Sequence, residues 1–279
     1  MNGISYGTRT RTSSRVVRWR VTPVGLMLAL TFATGVVDAV GYLRLDQVFA
    51  GNMTGNVVIL GMAATGGTGL PVLGPVMALV FFLVGAAVAG RVLRTALPGW
   101  SRRCTGLLGG VGLVLAATAL GLAVTGVGAP AARVSMASSL ALAMGVQAAT
   151  ARHLGVKDVT TVVVTSTLTG LAADSRLGAA RGQGALRRGA AVTLIIVGAA
   201  TGAALCQVHA GLAVLAAAFV VLAVTGLGHL SARSADPVAA ATTRSTTSPT
   251  SRSLAPAMAP SPASAPATAP TRPPSASAR

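Results

Sequence analysis

The sequence predicts an all-helical, polytopic bundle in a bacterial inner membrane, and three observations carry that prediction. Of 279 residues, 52% are hydrophobic and only 10% are charged, with a mean hydropathy of +0.71; a soluble domain carries about a quarter charged residues. The apolar residues gather into runs long enough to cross a bilayer, for which about 20 residues suffice. The Lys and Arg residues fall in the gaps between those runs, where the positive-inside rule places them. Arg outnumbers the single Lys157 and Ala, Gly and Val abound, a composition associated with GC-rich bacterial genomes.

Taken in order, the chain opens on a basic segment, residues 1–22, with Arg9, Arg11, Arg15, Arg18 and Arg20. The run Val24 to Leu43 follows Pro23 and is longer than the core of a signal peptide, so an uncleaved first span is expected. Further spans are expected over Pro71 to Gly90, Thr105 to Val127, Val134 to Ala151, Gly189 to Cys206 and Ala210 to Leu230, giving a transmembrane domain over 23–231. Beyond it, 232–279 is rich in Pro, Ala, Ser and Thr and holds nine of the fourteen prolines; nothing there can bury a core, and a disordered tail is expected.

Two apolar stretches are too polar or too short for a lipid-facing span. Gln47 to Ala64 contains Gly51, Asn52, Thr54, Gly55 and Asn56, and Val159 to Ala173 holds five threonines and a serine. Charge decides how they run. If all eight stretches crossed, seven Lys and Arg would lie outside against eleven inside. If these two dip in and return on one side, only Arg44 and Arg133 lie outside and 16 lie inside, which satisfies the positive-inside rule far better. Six crossings then group as three plus three, and because three is odd the second unit enters from the opposite side. This is an inverted repeat with a re-entrant or broken element in each half, and both termini cytoplasmic.

The stretches that carry this grammar are GVVDAVGYL followed by FAGNMTGN, and later ALAMGVQAATARHLGVKDVTTVVVTSTLTGLAAD. They resemble the two signature stretches of the YoaK-like bacterial membrane proteins, over roughly Pro23 to Leu230. The resemblance implies a multi-pass inner-membrane protein of a family without a known function, sometimes labelled as small-molecule transporters. The basic N-terminal segment and the tail lie outside it.

On the first span, Thr31, Thr34, Gly35, Asp38, Gly41 and Tyr42 recur at three- and four-residue spacing and form one small, polar stripe. Asp38 is therefore expected to face the bundle. A carboxylate in hydrocarbon is costly unless paired or protonated, which suits a proton or cation relay; hydrogen bonding purely for packing is the alternative. Asn52, Thr54 and Asn56 supply amides and a hydroxyl that a half-helix end can turn towards a solute or ion, and Gln147, Thr165 and Thr169 are their expected counterparts in the second half. Back-bonding of Thr to helix carbonyls competes with that reading. Asp46 and Asp158 stand close to Arg44 and Lys157 and are expected in solvated connector turns.

Other classes fare worse. A net charge of +17 evokes nucleic acid, but no aromatic-basic face accompanies it. Cys104 and Cys206 lie in different runs, and His153, His209 and His229 are scattered at expected helix ends, so no metal site or cofactor is expected. No Ser-His-Asp set, H-E-x-x-H or phosphate-cradling loop is present, and an enzyme is not expected. The sequence points to an integral membrane permease for a small polar solute, with a membrane scaffold or regulator as the alternative. Its partners are the lipid bilayer and an unidentified solute, and a homo-oligomer is compatible with the chain.

Overall fold

A computed structural model describes residues 22–66, 69–155, 164–174 and 184–245. The basic segment 1–21, the connector with Lys157 and Asp158, Arg176, Arg181 and the tail 246–279 lie outside the described residues. The described chain is all-helical: α1 (Pro23–Arg44), α2 (Met53–Ala63), α3 (Leu73–Leu93), α4 (Arg102–Thr125), α5 (Pro130–Leu154), α6 (Val164–Ala173), α7 (Ala185–Val208) and α8 (Ala210–Ser245). Six of these are long and apolar enough to span a membrane: α1, α3, α4, α5, α7 and α8 as far as Arg233. By contacts the chain divides into Met1–Val238 and Ala239–Arg279; the packing and the site described below belong to the first unit.

Local chemistry sets the helix ends. The Thr22 side chain caps α1 by accepting from Gly25 N at 3.2 Å, and Pro23 occupies the first turn, where its missing N–H is no loss. Pro130 opens α5 in the same way, and Gly155 closes it in the left-handed region at φ 63°. Ser101 caps α4 through Cys104 N. The helix α8 runs to Ser245, past the expected start of the tail at 232.

The two elements expected to dip and return are short helices. With 11 and 10 residues, α2 and α6 rise about 15 Å each at 1.5 Å per residue, roughly half the hydrocarbon thickness.

Packing repeats between the halves. In the first contact, α1 meets α7 where Gly35 lies against Ile195 O and Ala199 N, and Gly198 lies against Phe32 O. In the second, α5 meets α3 where Gly145 lies against Phe82 O and Ala86 N, and Gly85 lies against Leu142 O and Val146 N. In all four cases the glycine rests on the carbonyl three residues before its partner glycine. Mapping α1 onto α5 and α3 onto α7 turns one contact into the other. Burial follows the same mapping: the share buried is 61% for α1 and 56% for α5, 22% for both α3 and α7, and 39% for α4 against 44% for α8. The geometry is that of a three-plus-three repeat, with α1 and α5 at the centre.

The core around these two helices includes Leu26, Met27, Leu30, Val36 and Val37 of α1 with Leu140, Ala141 and Met144 of α5. Across it, Gly112 of α4 accepts the Leu222 side chain of α8. Lipid offers apolar side chains nothing less than a partner helix does, so association rests on close backbone packing at small residues.

A Cβ at any of the four paired glycines would overlap a backbone atom of the facing helix, whereas Gly90 and Gly110 face open space. Alanine at position 35, 85, 145 or 198 is expected to destabilise the protein by about 1–3 kcal/mol, the usual scale of overpacking. Alanine at 90 or 110 is expected to be neutral or to stabilise by up to about 1 kcal/mol through helix propensity. Thermal unfolding of the detergent-solubilised variants reads the sign directly.

Candidate functional site

The site forms where the chain turns back at the end of α1. Gly41 O accepts from both Leu45 N (3.1 Å) and Val48 N (3.3 Å), and Asp46 and Gln47 then adopt left-handed backbone, φ 58° and 54°. For two non-glycine residues this is strained, at about 1 kcal/mol or more each. The turn lays residues 48–52 along α1. Val48 O occupies the space a Cβ at Gly41 would need, and Gly51 packs on the Thr34 methyl group.

Backbone polar groups inside a membrane must find partners in the protein, and three side chains of the first half supply them. The Oδ1 of Asp38 accepts from Gly51 N at 2.6 Å, which ties the returning chain to α1. The buried Asn56 treats Phe49 as a strand neighbour would: its Oδ1 accepts from Phe49 N (2.9 Å) and its Nδ2 donates to Phe49 O (2.7 Å). Asn52 caps α2 by accepting from Gly55 N at 3.4 Å. The ring of Phe49 then stacks on Tyr42, centroids 5.0 Å apart and planes 25° from parallel.

A cavity of about 610 Å³ lies beside this turn, bounded by Asp38, Tyr42, Phe49, Asn52 and Thr54 of the first half and by Thr165 of α6. Ile195 of α7, from the same glycine crossing that locks α1, closes another side.

Of the residues singled out from sequence, Asp38, Asn52, Thr54 and Thr165 therefore line one cavity. The other three do not. Asn56 is occupied with Phe49. Thr169 donates back to Thr165 O at 2.9 Å, the local helix bond that competes with any site role. Gln147 is buried at the α1–α5 contact, where its Nε2 donates to Thr34 Oγ1 (3.0 Å) and Leu30 O (3.4 Å), and its Oε1 has no partner among the described residues. It touches the site only through Thr34, whose methyl supports Gly51.

Sequence reasoning passed over Phe49, whose role depends on the reversal of the chain at Asp46 and Gln47. The scarcity of aromatics, 3% of the chain, was the signal available: two of them flank the turn.

Asp46 differs from expectation. In place of a purely solvated turn it forms an ion pair with Arg133 Nε of α5 at 3.2 Å, while Arg133 also donates to Val127 O and Gly128 O. Pro130 opens α5 three residues before Arg133, so the arginine sits in the first turn of that helix. Asp174, after α6, pairs likewise with Arg188 of α7 at 2.6 Å. Arg44 Nη2 donates to Cys206 O at 2.5 Å.

Replacing Asn56 by alanine strands a buried N–H and C=O of Phe49, and a loss of about 2–3 kcal/mol is expected. Asn52→Ala removes one weak cap and should lose about 1 kcal/mol or less. Thr54→Ala should be near neutral. The order of the three melting temperatures in detergent checks which residues hold the turn and which only face the cavity.

Comparison with known proteins agrees with this picture of a membrane protein. No solved structure matches the chain. A curated relative, the UPF0700 transmembrane protein YoaK of Bacillus subtilis (strain 168), is 30% identical over 153 residues. That alignment takes in 53% of this chain and 65% of the relative, so the chain spans a little under two thirds of that protein's length. The family model described as a protein of unknown function (DUF1275) matches residues 26–227, from the first turn of α1 to the last membrane turns of α8. The protein is a multi-pass membrane protein and belongs to the DUF1275 family.

Proposed function

We propose that the protein is a permease for a small polar solute in the bacterial inner membrane, with both termini in the cytoplasm. The observation that carries this reading is the cavity that joins Asp38 of α1 to Thr165 of α6, each half contributing a short helix beside it. Secondary transporters build their sites from broken or short helices at the interface of two inverted repeats, and the matched glycine crossings of this bundle support that reading. Asp38 is the carboxylate that meets the solute or carries a coupling proton or ion. The proposal is for transport and invokes no enzymatic step.

The alternative, a membrane scaffold or regulator without transport, draws support from the bond between Asp38 and Gly51 N, because that bond alone explains a carboxylate here. The two readings separate on Asp38→Asn, which keeps an acceptor for Gly51 N–H but cannot ionise.

In proteoliposomes offered a broad metabolite panel, the wild type should move at least one solute. Asp38→Asn and Asp38→Leu should insert and lose that movement, and any pH dependence should vanish in the Asn form. An Asn variant with the wild-type rate and pH profile would make Asp38 a loop anchor only. The orientation is checked separately: with Cys104 and Cys206 replaced, single cysteines at Arg94, Arg181 and Ser234 should label only from the cytoplasmic side. Labelling of position 94 from outside would favour eight crossings.

A further inference from the structure

We propose that the cavity beside Asp38 takes a small organic cation, an amine or quaternary ammonium group seated between the carboxylate and the Tyr42–Phe49 pair.

Charge is the first argument. Asp38 is the one acidic residue among those lining the cavity, and among the described residues no Lys, Arg or His lines it. Three arginines near the ends of the surrounding helices are engaged elsewhere: Arg44 on Cys206 O, Arg133 on Asp46 and Arg188 on Asp174. An anionic solute would meet a carboxylate with no compensating cation in a medium where like charges repel strongly.

The wall supplies the second argument. Tyr42 lies one helical turn beyond Asp38 and so on the same face of α1, and its ring is stacked with Phe49. Aromatic faces attract ammonium groups through the ring quadrupole, most when water is excluded. Around them, Thr54 and Thr165 offer hydroxyls and Asn52 an amide, acceptors for an N–H or a substituent of the solute.

Size is the third. A cavity of about 610 Å³ falls in the range of sites for organic ligands, about 300–1,000 Å³. A bare metal ion would find one carboxylate where hard cations gather six or more oxygens. The Gly51 N–H fixes the carboxylate in place, so the charge is positioned before the solute arrives.

This inference rests on the permease reading for its biological meaning, but its binding half is testable alone. Purified full-length protein in detergent is titrated with three probes that share one aromatic body: 2-phenylethylammonium, 2-phenylethanol and phenylacetate. Benzyltrimethylammonium tests whether N–H donation is needed. The thermal transition is the readout. Both cations should raise it at concentrations about tenfold or more below those needed for the alcohol, a difference of about 1.4 kcal/mol in binding. Phenylacetate should leave it unchanged.

The advantage of the cations should disappear in Asp38→Asn. Should that variant fail to fold, Tyr42→Leu and Phe49→Leu take its place, and each should weaken the quaternary cation more than the alcohol. Equal shifts by phenylacetate and the ammonium, or a cation effect that survives Asp38→Asn, overturn the proposal.

Counterflow of the same probes in proteoliposomes separates the two claims. Cations that bind without crossing leave the cation site standing and remove the permease. A crossing anion does the reverse, and a protein that neither binds nor moves any probe loses both.

Discussion

Backbone meets backbone where α1 crosses α7 and where α5 crosses α3, and the bundle is arranged around those two crossings. Gly35 and Gly198 bring α1 and α7 into contact at main-chain distance, and Gly145 and Gly85 do the same for α5 and α3. In hydrocarbon there is no gain from hiding Leu or Val, so the contact area that small residues allow is what holds helices together. The two crossings put α1 and α5 at the centre of the bundle and leave α3 and α7 mostly to lipid. They also fix where the short helices can lie, since α2 packs on α3 and α6 on α7.

The turn between α1 and α2 answers a second demand of the membrane. Its N–H and C=O groups are not in a regular helix, and they are met by Asp38, Asn56 and Gly41 O. The polar cluster that interrupts the apolar sequence is thus first a device for folding a non-helical segment at depth. Its cavity-facing members are what is left over for chemistry: the carboxylate edge of Asp38, the end of Asn52, and the hydroxyl of Thr54. Asp38 does both, which is why its role separates into an acceptor, retained by Asn, and a charge, which is not.

Much of this was legible in the chain. The six spans were readable because hydrophobic runs and arginine gaps are direct consequences of the bilayer, and the structural ends fall within a few residues of the expected ones. The polar stripe through Thr34, Asp38 and Tyr42 was readable because helical period places them on one face. What could not be read was which polar groups would satisfy each other. Asn52 and Asn56 are four residues apart and look alike in sequence, yet one faces the cavity and the other closes on Phe49. The left-handed pair Asp46 and Gln47 decides that, and neither residue announces such a backbone. The repeat was visible as grammar, Gly-Val followed by a connector with Asp, but the glycines whose contacts match, Gly85 and Gly198, sit in spans without a charged residue to mark them.

The claim at the centre of this account is that the space beside Asp38 is a water-accessible cavity within a membrane bundle, and thiol reactivity in sealed vesicles tests it most directly. In a background without Cys104 and Cys206, cysteine placed at Thr54, in the cavity wall, should react with a membrane-impermeant methanethiosulfonate. Cysteine at Leu113, on the exposed outer face of α4, should not. A Thr54→Cys protein that is folded yet unreactive from both sides of the membrane would contradict the account, because the turn would then be packing alone.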